Sequence, residues 1–92
     1  MIAAAHLGHH EVVRLLAAGG APLDHVNNLG WTALMEAVVL GDGGPDHVAT
    51  VRVLLAAGAD PTITDRDEVT PLAHAEARGF AQIAALLAAR PD

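Results

Sequence analysis

Residues 51–64 read V-R-V-L-L-A-A-G-A-D-P-T-I-T, and related copies of this stretch occur on both sides of it. Residues 13–26 read V-R-L-L-A-A-G-G-A-P-L-D-H-V, and residues 84–92 read A-A-L-L-A-A-R-P-D. A segment that recurs in this way indicates a repeat architecture, in which each unit is one small supersecondary element. Such a unit cannot cover its own apolar side, so the copies are expected to stack in a row.

The glycines give the length of the repeat. Gly8, Gly41 and Gly79 follow one another at intervals of 33 and 38 residues, and Gly20 and Gly58 are 38 residues apart. A single period of 33, lengthened once by five inserted residues, explains all of these intervals.

Only the intervals that cross residues 41–50 are lengthened, which places the insertion in that stretch. Residues 41–45 read G-D-G-G-P, a composition typical of a loop, and we expect a flexible loop there. The chain is then predicted to form one domain of 92 residues with three units, at about 1–26, 27–64 and 65–92.

Each unit is predicted to contain two short helices. Thr32 and Thr70 are good N-caps, because a hydroxyl group can accept hydrogen bonds from the free N–H groups of the first turn. Gly41 and Gly79 are expected to end the first helices, as glycine commonly does. The predicted first helices are about 33–40 and 71–78, and the predicted second helices are about 10–18, 46–57 and 81–89.

This unit resembles the ankyrin repeat. The middle unit reads N-x-x-G-W-T-A-L-M-E-A from residue 27 and V-L-L-A-A-G-A-D from residue 53. These segments are similar to the family pattern D-x-x-G-x-T-P-L-H-x-A and L-L-L-x-x-G-A-D. The resemblance implies an all-α, ankyrin-repeat-like solenoid of stacked helix–turn–helix units with extended turns between them. It also implies a non-enzymatic module that binds another protein.

Several residues depart from the family pattern. Met35 and Ala73 replace the usual histidine, and Met1 falls inside the first unit, so the chain starts without the first turn of that unit. Glu68 stands where a turn glycine is usual, which would cost roughly 1 kcal/mol if its φ angle is positive. Glu76 puts a charge where a fourth unit would pack, and we interpret it as the mark of an end unit.

The resemblance also implies a binding surface, made of the turn tips and of the concave groove along the first helices. The residues of this chain that match those positions are Asn28, Leu29, Trp31, Glu36, Val39, Leu40, Arg66, Asp67, Val69, His74 and Arg78. Apolar residues are unusual on an exposed groove, so Leu29, Trp31, Val39 and Leu40 could form a contact patch. The alternative is scattered apolar exposure, which is common on monomers.

Trp31 is the candidate anchor of that surface, because tryptophan is enriched at the energetic centres of protein interfaces. The alternative is that Trp31 packs over the neighbouring turn and serves stability.

Charge and composition disfavour other classes of function. The net charge is −6, with five arginines and no lysine, which argues against nucleic acid and against anionic membranes as partners. No apolar run approaches the roughly 20 residues that a membrane span needs. Cysteine is absent, so the cytosol is the expected compartment. No nucleophile–base motif is present, and we expect no catalytic residue and no cofactor.

A metal site at His6, His9 and His10 is also disfavoured, because Gly8 interrupts the helix between them. His9 and His47 match a position where the imidazole can bind loop carbonyl groups in the family.

A structural role is the rival hypothesis. The start of the chain would leave the apolar residues Ile2, Ala4 and Leu15 uncovered. This end would then self-associate as a homo-oligomer, or the native protein would extend further upstream.

Overall fold

The structure is a computed structural model that describes residues 2–28 and 30–89, and its helices confirm the all-α solenoid. Within these residues no β-strand is present. The predicted second helices agree with the observed ones to within one residue at each end. The first helices that were predicted at 33–40 and 71–78 are observed to end one residue before the predicted end. The helices of the described residues are α1 (Ile2–His6), α2 (His10–Ala18), α3 (Ala33–Val39), α4 (Pro45–Ala56), α5 (Pro71–Ala77) and α6 (Ala81–Ala88).

The helices form two parallel rows. In the inner row α3 packs between α1 and α5, and in the outer row α4 packs between α2 and α6. Each inner helix also packs on the outer helix that follows it in sequence. Successive units are therefore stacked side by side, and equivalent residues of neighbouring units lie in lines across the stack.

Threonine hydroxyl groups cap the N-termini of α3 and α5, as predicted. The Thr32 side chain accepts a hydrogen bond from the Met35 N–H at 3.2 Å, and Thr70 accepts one from the Ala73 N–H at 3.1 Å. Such a cap stabilises a helix by about 1 kcal/mol. Pro45 is the first residue of α4, where its missing N–H removes no intrahelical bond.

The core is formed between the units. Leu34 and Val38 of α3, Val51 and Leu54 of α4, and Ile83 of α6 are all essentially inaccessible to solvent. None of these helices exceeds 12 residues, and helices of that length are marginal alone in water. Burial between neighbouring units therefore supplies most of their stability.

The turns that precede α3 and α5 each contain one residue with a left-handed backbone. In the second unit it is Gly30, with φ 83°, and in the third it is Glu68, with φ 62°. A side chain in this conformation costs roughly 1 kcal/mol relative to glycine. The expected strain at Glu68 is therefore present.

The inserted loop makes specific contacts with the helix that follows it and with the third unit, which its composition did not indicate. The Asp42 carboxylate accepts a hydrogen bond from the Gly44 N–H at 2.8 Å, and its Oδ1 lies 3.2 Å from Nδ1 of His47. Gly43 adopts φ 73° directly under the ring of Phe80, where a Cβ atom would lie 2.5 Å from the ring carbon Cδ1. The loop thus packs against Phe80 of the third unit.

Replacing Gly43 by alanine tests this contact. Gly79 provides a matched control, because its φ of 72° is nearly the same but no atom lies within 4 Å of its added Cβ. Gly79→Ala should lower the free energy of unfolding by about 1 kcal/mol, from backbone strain alone. Gly43→Ala should cost at least about 1 kcal/mol more, from overpacking against Phe80. Urea denaturation measures both, and equal losses would mean that Phe80 does not fasten the loop.

Candidate functional site

The inner row of helices presents one line of exposed side chains, at or just beyond the C-terminal ends of its helices. Leu7, Leu40 and Arg78 occupy equivalent positions in the three units, at intervals of 33 and 38 residues. Leu7 is 59% exposed and Leu40 is 42% exposed, and Arg78 is exposed as well. The groove therefore offers two neighbouring leucines followed by a guanidinium group. We call these three residues the groove line.

Leu7 is the residue that sequence reasoning missed. The signal was available, because the 33-residue interval places Leu7 in register with Leu40. Two leucines exposed in one line favour a contact surface over scattered exposure, since large apolar side chains gain free energy when a partner covers them.

Two residues predicted to be exposed in the groove are buried. Val39 is covered because the third unit packs against α3, whereas its equivalent Ala77 has no following unit among the described residues and is exposed. Glu36 is only 4% exposed, because its side chain turns back to the preceding turn. The expectation that both lie open to a partner was wrong.

Glu36 and His74 hold equivalent positions, and each fastens its helix to the turn before it. Asn27 Nδ2 donates a hydrogen bond to Glu36 Oε1 at 2.8 Å, and in the third unit His74 Nε2 lies 2.7 Å from Asp65 Oδ2. Asn27 and Asp65 are also at equivalent positions. The carboxylate is therefore on the helix in the second unit and on the turn in the third. His74 is thus partly buried and joins α5 to the turn before it, so it is not an open groove residue.

The Asp65 carboxylate organises the third turn. Its Oδ1 accepts hydrogen bonds from the N–H groups of Asp67 and Val69, both at 2.9 Å. The hydrogen bond with His74, followed by the bond from the Val69 N–H, lowers the pKa of Asp65 below its ordinary value of 3.8. The carboxylate is therefore held in its charged form by the folded structure.

The turn tips touch each other. The Arg66 guanidinium donates a hydrogen bond to the carbonyl oxygen of Asn28, and its side chain lies over Gly30, where a Cβ atom would approach Arg66 Cγ to 2.7 Å. Asp67 is exposed. Leu29, the remaining predicted tip residue, lies outside the described residues. Asn28, Arg66 and Asp67 are thus placed at the tips as expected.

Trp31 and Val69 lie at the base of the turns, at equivalent positions. Both are half-buried. The backbone of Trp31 closes the second turn, because its carbonyl accepts from the Asn27 N–H at 3.0 Å and its N–H donates to Asn27 Oδ1 at 3.0 Å. The indole therefore keeps part of its surface available beside the groove, on a backbone that is fixed.

The histidines at the other edge do not assemble a metal site in the part of the chain that the structure describes. Within residues 2–28 and 30–89, no group of three or more His, Cys, Asp or Glu is suited to hold a metal ion. The side chain of His6 lies outside this description. His10 Nε2 lies 4.0 Å from Asp46 Oδ1, a weak contact between α2 and α4.

Comparison with known proteins gives the family. A family model described as ankyrin repeats (3 copies) matches residues 1–65. The ankyrin repeat protein YahD of Escherichia coli (strain K12) is 47% identical over 83 residues, covering 89% of this chain and 41% of its own length. The chain therefore belongs to the ankyrin repeat family, whose members are generally non-enzymatic modules for protein interaction.

Solved structures agree with this assignment. An ankyrin repeat domain from Acinetobacter baumannii AYE superposes with a TM-score of 0.92 and 52% identity, covering 94% of this chain and 44% of that one. The ankyrin repeat protein EF0377 superposes with a TM-score of 0.94 and 36% identity, covering 99% and 46%. This chain thus spans less than half the length of these relatives. The repeat pattern continues through α6, beyond the residues that the family model matches.

None of the helices in the described residues has the length and apolarity to span a membrane.

Replacing Asp65 by asparagine should change how stability depends on pH. The pKa of Asp65 is lower in the folded chain, so its stabilisation is present above about pH 3.8 and is lost as the pH falls below that value. Asp65→Asn should be less stable than the parent at pH 7 and should lose less stability between pH 5 and pH 3. Urea denaturation at several pH values measures this. The control is Asp67→Asn on the same exposed tip, and identical pH profiles for all three proteins would contradict the role of Asp65.

Proposed function

We propose that this domain binds a partner protein along its concave groove, with the groove line as the apolar centre and the turn tips as the rim. The observation that carries this proposal is the exposure of Leu7 and Leu40 at equivalent positions of two units whose inner helices pack together. Full burial of an exposed leucine is worth about 1.5–3 kcal/mol, and because Leu7 is 59% and Leu40 42% exposed, covering each would contribute about half of that. The arrangement of an apolar centre with a polar rim is that of specific protein interfaces.

The remaining groove residues take two roles in this proposal. Trp31 is a half-buried aromatic side chain on a hydrogen-bonded turn, which suits a rigid anchor. Arg66, Asn28 and Asp67 supply polar groups at the tips, with Arg66 and Asn28 already joined. Val39 and Val69 support the groove from below rather than contact the partner directly.

Site-specific photo-crosslinking in cells that make this protein tests the proposal. A photoreactive amino acid at Leu7 or at Leu40 should capture the same protein. The control position is Arg52, which is exposed on the outer helix α4, and it should not capture that protein. Leu40→Asp should weaken binding of the captured partner at least tenfold, because a carboxylate would replace buried apolar surface. Capture from Arg52 but not from the groove would contradict the proposal.

A second candidate function is self-association through the side of α2 that faces away from α4. Val12 is 45% exposed and Leu16 is 37% exposed. Their equivalents in the other units are buried by stacking: Thr50, Leu54, Ile83 and Leu87 are at most 3% exposed. Ile2 and Ala4, which the sequence suggested for this face, are instead half-buried and packed against the core.

Sedimentation velocity over a range of concentrations distinguishes this second function. If the face joins two copies, the parent chain should dimerise as concentration rises and Val12→Asp should remain monomeric. Arg14→Gln is the matched control, because it changes the charge by the same amount on the same helix, and Arg14 is exposed two residues from both Val12 and Leu16, a spacing at which residues do not share a side of the helix. A parent chain that is monomeric at every concentration would reject self-association.

A further inference from the structure

Glu36 carries a buried carboxylate oxygen that the fold leaves without a partner. Oε1 accepts a hydrogen bond from Asn27 Nδ2 at 2.8 Å, but Oε2 is inaccessible to solvent and has no hydrogen-bond partner among the described residues. A buried polar atom that lacks a partner costs free energy, and the cost is larger for a charged group. This is a local violation of good packing, of the kind that proteins tolerate at functional sites.

Nearby cations do not satisfy this oxygen. His74, at the equivalent position of the next unit, is already paired with Asp65 at 2.7 Å, and Arg66 donates to the Asn28 carbonyl. In residues 2–28 and 30–89, no ion pair joins Glu36 to an arginine or a histidine. Among the described residues, the Glu36 carboxylate is therefore hydrogen-bonded only by the amide of Asn27.

The position of Glu36 connects it to the groove line. Glu36 precedes the exposed Leu40 by four residues, and residues at this spacing lie on the same side of a helix. Oε2 is buried in the free chain, so a partner's group would reach it only after the carboxylate rotates, and the torsion at the end of a glutamate side chain is broad.

We infer that Glu36 is the acceptor for a cationic side chain, arginine or lysine, that the partner inserts beside an apolar residue seated on Leu7 and Leu40. This inference rests on the proposed groove function and adds the chemistry of the partner to it. A charge-assisted hydrogen bond in a site shielded from water is among the stronger polar contacts. The net charge of −6, with no lysine in the chain, also favours a basic partner segment.

The probe for this inference is a phage-displayed library of random linear peptides, selected against the parent chain. The expected peptides carry arginine or lysine next to an apolar residue. Replacing that basic residue by alanine should weaken binding to the parent about ten- to a hundredfold, and should have little effect on binding to Glu36→Gln. This double-mutant comparison isolates the contact between the two groups.

Glu76→Gln is the matched control, because it removes the same charge from an exposed glutamate on α5. It should bind the selected peptides as the parent does. The inference would be overturned if replacing the basic residue of the peptide weakened binding to Glu36→Gln as much as binding to the parent. It would also be overturned if Glu76→Gln lost this dependence to the same extent as Glu36→Gln. The selected peptides could lose binding to Leu40→Asp and yet show no preference for a basic residue. That result would support the groove function and reject only the role of Glu36. Selection that yields no peptide, or peptides indifferent to Leu40→Asp, would count against both.

A thermal unfolding measurement separates binding from folding. Glu36→Gln should be folded, with a midpoint no lower than that of the parent, because the substitution removes an unbalanced buried charge and keeps the acceptor for Asn27. A markedly lower midpoint would assign the carboxylate to the fold and would also overturn the inference.

Discussion

Each unit of this chain depends on a neighbouring unit to cover the apolar side of its helices. Leu54 and Leu87 are buried because a preceding unit packs against them, whereas their equivalent Leu16 is 37% exposed on α2. The same leucine is thus a core residue or a surface residue according to its place in the row. Since no helix of the described residues is long enough to be stable alone, this nearest-neighbour burial is what holds the fold together.

The stack also determines which residues are free to act. The inner helices are fixed from two sides, by the helices beside them and by the turns that precede them. Asn27 and Glu36 join turn to helix in the second unit, and Asp65 and His74 do so in the third. Leu7, Leu40 and Arg78 remain exposed, at or just beyond the C-terminal ends of α1, α3 and α5. A rigid frame with a few open side chains pays little conformational entropy on binding, which suits a module for protein interaction.

The two departures from ideal local structure differ in kind. Glu68 adopts a left-handed backbone at φ 62°, a strain that the surrounding turn holds in place through Asp65. Glu36 has an unsatisfied buried oxygen, which no neighbouring group of the described residues relieves. The first is explained within the turn itself, and for the second we propose a cationic group of the partner protein.

The sequence by itself determined the architecture. The period of 33, the threonine caps, the glycines and the Leu-rich stripe all act through local geometry, so the helices could be located to within about one residue from spacing alone. The turn strain at Glu68 was predicted from the family pattern, in which glycine is usual at that position. Only the tertiary structure decided exposure. Val39 and Glu36 were expected in the open groove but are buried, because a neighbouring unit and a preceding turn cover them. Likewise, the contact between Gly43 and Phe80 joins residues far apart in sequence. Helical periodicity tells which side of a helix a residue occupies, but what lies against that side depends on packing between units.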